Sequence, residues 1–172
     1  MSLGTGMTGA HLPIALTNTW LTPPALLRAL GAFDLDPCAA PEPRPWATAE
    51  RMISLPQDGL AIEWGGRVWC NPPYGRQTGQ WLSRLAAHGD GIALIFARTE
   101  TEMFFRHVWA KAHALLFLRG RLTFYRPDGS PAAANGGAPS VLVAYGLNNA
   151  NALKLCGIPG SFVDLRVAKE AA

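Results

Sequence analysis

The residues of this chain best suited to chemistry are Asn71, Pro72, Pro73 and Tyr74, which directly follow a strand predicted at 67–70. The Asn71 side chain offers a carbonyl acceptor, and the fixed φ of Pro72 would aim its backbone carbonyl as a second acceptor. Two such acceptors can bind both hydrogens of an exocyclic aryl amine and localise the nitrogen lone pair for attack on an electrophilic methyl group. Tyr74 adds a flat face for stacking an aromatic base. The competing interpretation is a rigid Pro-Pro turn with a packing tyrosine.

The elements that must position this tetrapeptide alternate between strand and helix. Segment 91–97 is continuously apolar, which is typical of a strand buried on both faces of a parallel sheet. The alternation predicts an α/β domain with a mostly parallel sheet and an antiparallel hairpin near its C-terminal end. Ligands of such sheets bind at the carboxyl ends of strands, where Asp36 and Asn71 would both lie. Helices are predicted at 23–30, 78–88, 100–112 and 147–156, strands at 33–36, 51–55, 67–70, 91–97, 113–118, 121–125, 140–145 and 162–167, and a surface loop at 127–139.

Composition limits the function classes open to this chain. Its 172 residues are 49% hydrophobic, enough for one folded domain, which we expect at 18–168 after a flexible arm at 1–17. No apolar run reaches the roughly 20 residues of a membrane span, so no membrane partner is expected. Three cysteines without a CxxC pair and four scattered histidines predict no metal site. The net charge of +3 comes from an arginine-rich set of cations, which fits phosphate contact or, equally, a bias in nucleotide composition.

Several short motifs are distributed over most of the chain. They are Trp-Leu-Thr-Pro at 20–23, Phe-Asp-Leu-Asp-Pro-Cys-Ala at 33–39, Asn-Pro-Pro-Tyr at 71–74, Ala-Arg-Thr-Glu-Thr at 97–101 followed by Phe104 or Phe105, Gly-Arg-Leu-Thr-Phe at 120–124 and Pro-Ser at 139–140. In this combination the chain, from Trp20 to Val167, resembles the phage-type DNA N6-adenine methyltransferases of the Dam family. Asn-Pro-Pro-Tyr alone also marks enzymes that methylate protein glutamine or RNA guanine, so these targets stay open as alternatives. A catalytically weak, DNA-binding relic of the fold is a further alternative.

The resemblance implies a Rossmann-like methyltransferase sheet, S-adenosylmethionine as methyl donor, and Asn71, Pro72, Pro73 and Tyr74 as catalytic residues. Asp36 would pair with the ammonium group of the donor. The alternative is that the Asp36 carboxylate only caps the turn that follows it. Many related enzymes have a Gly-x-Gly turn after the first acidic strand, but here no glycine occurs between Asp36 and Gly59. We therefore expect an abbreviated front half of the sheet and a more open donor pocket. Residues implied to bind the donor are Trp20, Thr22, Pro23, Asp36, Pro37, Cys38 and Asp58.

The resemblance further implies double-stranded DNA with a flipped adenine as the partner. A chain of this length leaves no room for a separate recognition domain, so we expect DNA contacts from loops at 75–79, 98–102 and 126–140. Weak or short-site specificity, or reliance on a homodimer, would follow. A cytoplasmic location in a bacterial host, with the chain encoded by a phage or prophage, is expected. The arginines predicted to contact phosphates are Arg76, Arg98, Arg119, Arg121 and Arg126. The alternative for each is that it lies in solvent at an edge of the domain or helps to hold the hairpin.

Overall fold

A computed structural model of the protein describes residues 19–166. The predicted arm at 1–17 and the predicted domain end at 167–168 lie outside the described residues. The described part of the chain contains a seven-stranded sheet and four helices, so the predicted α/β class is confirmed. In chain order the elements are α1 (Pro24–Leu30), β1 (Leu35–Asp36), β2 (Arg51–Met52), β3 (Val68–Cys70), α2 (Thr78–His88), β4 (Gly91–Phe96), α3 (Glu102–Phe104, continued by a π-helical turn at Phe105–Trp109), β5 (Ala114–Leu118), β6 (Ser140–Tyr145), α4 (Leu147–Leu155) and β7 (Gly160–Asp164).

The strands are arranged in the order β2-β1-β3-β4-β6-β5-β7. β1 pairs in parallel with β2 and β3, and β3 pairs in parallel with β4. β6 lies between β4 and β5 and runs antiparallel to both, while β7 runs antiparallel to β5. β4 and β5 therefore point the same way, and the carboxyl ends of β1, β3, β4 and β5 all lie at one edge of the sheet. The predicted front half is short, because β1 and β2 have two residues each.

The sheet departs from the expected hairpin. The predicted strand at 121–125 is wrong, since only Tyr125 of this segment makes bridges, to Leu21 and Pro131. The physical reason is that β6 and β7 already occupy both sides of β5, so no position beside β5 is left for a further strand. The segment instead crosses the carboxyl edge of the sheet. Half of the strand pairings are antiparallel, so the sheet is mixed and less parallel than predicted.

The core lies on both faces of the sheet. β4 is buried throughout most of its length, with Ala93 and Ile95 facing one apolar layer and Ile92 and Leu94 facing the other. The first layer contains the buried side chains of α2, and the second contains those of α1 and α4. This arrangement confirms the strand predicted from the apolar run and explains why its residues do not alternate with polar ones.

The helix expected at 100–112 is shorter and irregular. Thr101 caps its start by accepting a hydrogen bond from the Phe104 amide at 3.3 Å, and the helix continues as a π-helical turn. The buried Tyr145 hydroxyl donates to the carbonyl of His107 within that turn at 2.6 Å.

No helix between residues 19 and 166 has the length and apolarity needed to cross a bilayer.

The central position of β4 predicts the stability cost of truncating it. Leu94 is fully buried, so Leu94→Ala removes buried methyl groups and leaves a cavity, which should lower the free energy of unfolding by about 2–5 kcal/mol. Urea denaturation measures this change. The matched control is Leu55→Ala, because Leu55 is 81% exposed and its truncation should change stability by less than about 0.5 kcal/mol. Equal effects of the two substitutions would contradict the central placement of β4.

Candidate active site

Asn71 follows β3 at the carboxyl edge of the sheet, and its amide group is held in a fixed orientation. The amide nitrogen donates to the hydroxyl oxygen of Thr22 at 3.3 Å, and Thr22 is buried. The Tyr74 hydroxyl donates a long hydrogen bond of 3.4 Å to the Asn71 side-chain oxygen. Thr22 therefore engages the nitrogen end of the amide, and the carbonyl end retains acceptor capacity beside Tyr74.

The turn after Asn71 is fastened to the start of α2. The hydroxyl of Thr78 donates to the Pro73 carbonyl at 2.8 Å and accepts from the Gly75 amide at 3.1 Å. No donor between residues 19 and 166 pairs with the Pro72 carbonyl. The carbonyl of Pro73 is thus committed to the turn, whereas that of Pro72 has no donor in this part of the chain, and its role as the second acceptor stays a prediction.

Tyr74 is stacked on the aromatic ring that ends the neighbouring strand. Its ring centroid lies 4.0 Å from that of Phe96, with an angle of 10° between the planes. Tyr74 remains 40% exposed, and burial of its hydroxyl raises the pKa of the phenol. One face of the tyrosine is therefore covered by Phe96, while much of the rest is open to a ligand.

A cavity of about 210 Å³ opens beside this stacked pair. Its aromatic walls are Trp20, Tyr74, Phe96 and Phe124, and the loop 132–137 closes it. Sequence reasoning assigned no site role to Phe96 or Phe124. Phe96 could have been found, because it ends the buried strand next to β3 at the same sheet edge. The loop residues carry no pattern that would place them there.

Asp36 ends β1 and is buried with both carboxylate oxygens engaged. One oxygen accepts from the Cys38 amide at 3.0 Å, and the other accepts from the Thr48 hydroxyl at 2.5 Å. Burial raises the pKa of Asp36 to about 6, although these hydrogen bonds oppose the rise. The carboxylate thus caps the turn that follows it, and pairing with a donor ammonium stays a prediction.

The remaining predicted residues of this turn pack together around Asp36. The sulfur atoms of Cys38 and Cys70 are 3.8 Å apart, and the hydrogen bond with Cys70, together with burial, raises the pKa of the Cys38 thiol. A side chain at Gly59 would place its Cβ 1.7 Å from the Pro37 carbonyl oxygen. The loop that carries Asp58 therefore lies directly against the turn after Asp36, and Asp58 itself is exposed and accepts from the Leu60 amide at 2.9 Å.

The segment 20–23 contacts both Asn71 and the loop after β1. The Thr22 carbonyl accepts from the indole of Trp46 at 3.1 Å, and Trp46 belongs to the same loop as Thr48. Trp20 borders the aromatic cavity, whereas Pro23 borders a second cavity on the other side. Thr22 is the link, because it holds Asn71 with its side chain and the loop after β1 with its backbone. Thr48, Thr78 and Trp46 are contacts that the sequence did not indicate.

The five predicted arginines are all exposed, and the structure spreads them along the edge. Arg76 follows the tetrapeptide and Arg98 follows Phe96, while Arg126 lies in a turn of the 121–131 segment. Arg119 and Arg121 border the second cavity. The salt bridges found between residues 19 and 166 involve none of these five. That same part of the chain holds no group of three or more side chains able to ligate a metal.

Comparison with protein families gives one result over most of the chain. A family model described as DNA N-6-adenine-methyltransferase (Dam) matches residues 9–155. No curated protein and no solved structure matches the chain. The matched range includes the tetrapeptide, the turn after β1 and the aromatic cavity.

The raised pKa of Asp36 predicts how stability varies with pH. A carboxyl group whose pKa is higher in the folded state than the unfolded value of 3.8 stabilises the fold below pH 3.8, and this contribution is lost as pH rises through about 6. Relative to Asp36→Asn, the unmodified protein should lose on the order of 3 kcal/mol between pH 4 and 7. Urea denaturation at several pH values measures the difference.

The matched control for this pH series is Asp164→Asn. Hydrogen bonds from Arg166 lower the pKa of Asp164 to about 2, so its titration lies below pH 4 and has the opposite sign. The stability difference caused by Asp164→Asn should be nearly constant above pH 5. A difference caused by Asp36→Asn that is equally constant would contradict the burial of an ionisable Asp36.

Proposed function

The chain belongs to the DNA N-6-adenine-methyltransferase (Dam) family, and we propose that it moves a methyl group from S-adenosylmethionine to N6 of an adenine turned out of duplex DNA. The family gives the reaction, which is methylation of adenine N6 in DNA. The donor, the turned-out base and the roles of individual residues are proposals. The observation that supports them best is that the Asn71 side-chain oxygen keeps acceptor capacity beside the exposed ring of Tyr74, while the adjacent Pro72 carbonyl has no donor among residues 19–166.

The two acceptors would act directly on the target amine. The lone pair of an adenine amino group is delocalised into the ring, so the nitrogen is a poor nucleophile. The Asn71 side-chain oxygen and the Pro72 carbonyl oxygen would each accept one N6 hydrogen, which favours a pyramidal nitrogen with a localised lone pair. S-adenosylmethionine, when bound, supplies an electrophilic methyl group on a sulfonium sulfur. Attack by N6 on this methyl carbon would break its bond to sulfur, the electron pair would stay on the sulfur, and one N6 proton would leave to water.

The aromatic cavity would hold the target base. Its volume of about 210 Å³ and its walls of Trp20, Phe96 and Phe124 suit a flat heteroaromatic ring. Tyr74 has one face on Phe96 and is 40% exposed, so its free surface can stack on the base. Base stacking of this kind contributes about 1–3 kcal/mol. Pro73 would serve the reaction indirectly, because its carbonyl is bonded to Thr78 and keeps the turn in place.

The donor would lie across the turn after β1. Asp36 would pair with its ammonium group, and the chemistry of the residues fits, because a buried carboxylate with a pKa near 6 gains from a cationic partner. Asp58 would lie near the adenine ring of the donor, with Pro37, Cys38, Thr22, Pro23 and Trp20 forming the remaining walls. The two-residue strands β1 and β2 leave this pocket with little framework in front of it, which supports an open donor site.

Exposed arginines support the placement of DNA along the same edge. Arg76 and Arg98 flank the tetrapeptide and Phe96, and none of the predicted arginines is engaged in a salt bridge within residues 19–166. Site specificity from these loops alone, or from a homodimer, and action in the cytoplasm of a bacterial or prophage-carrying cell are part of the proposal. No observation favours RNA guanine or protein glutamine as the target, or a catalytically weak relic.

The role of Asn71 predicts a large loss of rate. Asn71→Ala removes one of the two acceptors for the N6 hydrogens, so kcat should fall at least 100-fold. The measurement is transfer of tritiated methyl groups from S-adenosylmethionine to unmethylated DNA, with RNA and protein assayed in parallel. Asn148→Ala is the matched control, because Asn148 is exposed on α4 away from the site. Label in RNA or protein and none in DNA would overturn the proposal.

Thr22 should act through Asn71. Thr22→Val keeps the side-chain volume and removes the oxygen that accepts from the Asn71 amide, so kcat should fall about tenfold with little change in the KM for DNA. Thr22→Ser restores the hydroxyl and should restore most of kcat. A Thr22→Ser variant as slow as Thr22→Val would show that packing of the methyl group, and not the hydrogen bond, is what matters.

A further inference from the structure

We propose that the second and larger cavity, of about 400 Å³, binds a nucleotide that flanks the target adenine in the same DNA strand. The proposal rests on the DNA methyltransferase function given above. The cavity lies between α1, the chain that leaves β5, and the turn before β7. Of the residues assigned above to the donor only Pro23 lines this cavity, and none of those assigned to the target base does.

The position of the cavity ties it to the target pocket. Thr22 bonds to Asn71, and the next residue, Pro23, lines the second cavity. Leu122 lines the second cavity, and Phe124, two residues further on, lines the aromatic one. Two residues of chain span at most about 7 Å, so the two cavities are close enough that only a nucleotide next to the target, or one removed from it, would fill the second one.

The segment between the two cavities is fixed in place. Tyr125 pairs with Leu21 through two backbone hydrogen bonds of 2.8 and 3.0 Å, which hold the segment against the chain that leads to Thr22. The Arg121 guanidinium donates to the Gly136 carbonyl at 3.5 Å, and Gly136 borders the aromatic cavity. Segment 121–125 therefore lies between the two cavities, and a DNA strand that crosses this segment would reach both.

The chemistry of the lining fits a nucleotide. Ala25, Leu26 and Ile158 make an apolar wall suited to the faces of a base, and the volume lies in the range of small-molecule sites. Arg119 and Arg121 stand at the rim, exposed and without a salt bridge among the described residues. An apolar hollow with two exposed guanidinium groups at its mouth complements a base joined to a phosphate.

A subsite of this kind would give the chain sequence preference through its catalytic domain alone. The base in the second cavity would be selected by size and shape, because the walls are mainly apolar. We therefore expect a preference at one fixed position within two nucleotides of the methylated adenine.

The first test fills the cavity. Ala25 is exposed on α1, and Ala25→Trp places an indole where the base would lie; Ile158→Trp fills the cavity from the opposite wall. Plasmid DNA without adenine methylation is treated with each variant, and the positions of N6-methyladenine are mapped by sequencing. Both variants should raise the KM for DNA about tenfold, change kcat little, and lose the preference at the one flanking position. The matched control is Ala87→Trp, an exposed alanine on α2, which should behave as the unmodified enzyme.

The second test removes charge at the rim. Arg121→Gln should weaken DNA binding uniformly across sequences and reduce the slope of log K against log salt by about 1. Arg51→Gln is the control, because Arg51 is exposed on β2, which is the outermost strand on the side of the sheet away from β5. If the salt slope of Arg121→Gln equals that of the unmodified enzyme, Arg121 does not contact a phosphate.

The outcomes separate the subsite from the enzyme's function. If Ala25→Trp and Ile158→Trp both keep the flanking-base preference and the KM for DNA of the unmodified enzyme, the subsite is overturned and DNA methylation stands. An unmodified chain that leaves no N6-methyladenine in the plasmid would overturn the proposed function itself. A thermal unfolding midpoint for each variant identifies any loss of fold, and the second cavity-filling variant then decides the result.

Discussion

The proposed chemistry depends on keeping two carbonyl oxygens available at one point of the chain. Two threonines hold the polar groups beside these oxygens. Thr22 takes the amide nitrogen of Asn71, and Thr78 takes the carbonyl of Pro73. Two acceptors remain within residues 19–166: the Asn71 side-chain oxygen, which receives a long bond from Tyr74, and the carbonyl of Pro72. A fixed pair of acceptors costs little reorganisation when an amine arrives, which is the condition for electrostatic catalysis.

The sheet supplies this point with its neighbours. Because β1, β3, β4 and β5 point the same way, Asp36, Asn71, Phe96 and Arg119 all emerge at one edge. The antiparallel β6 lies between β4 and β5, and the aromatic cavity and the second cavity have no lining residue in common. The proposed sites for the donor, the target base and the flanking nucleotide would thus lie side by side along this edge of the sheet.

Local patterns predicted part of this arrangement and long-range contacts decided the rest. The tetrapeptide after a strand, the buried run of β4 and the bounds of α2 follow from residue type and periodicity alone, and each is where the sequence predicts it. The segment 121–125 was predicted as a strand because its composition favours one, but β5 has no free side to receive it. The bonds from Thr22 to Asn71 and from Thr48 to Asp36 join residues distant in sequence, and no local signal marks either threonine.

The most direct measurement is a crystal structure of the enzyme with S-adenosylhomocysteine and a DNA duplex that it methylates. We expect the target adenine turned out of the duplex and stacked on Tyr74. Its N6 should lie within about 3.2 Å of both the Asn71 side-chain oxygen and the Pro72 carbonyl oxygen. An adenine bound with N6 out of hydrogen-bonding distance of these two oxygens would contradict the central claim, whatever the activity of the enzyme.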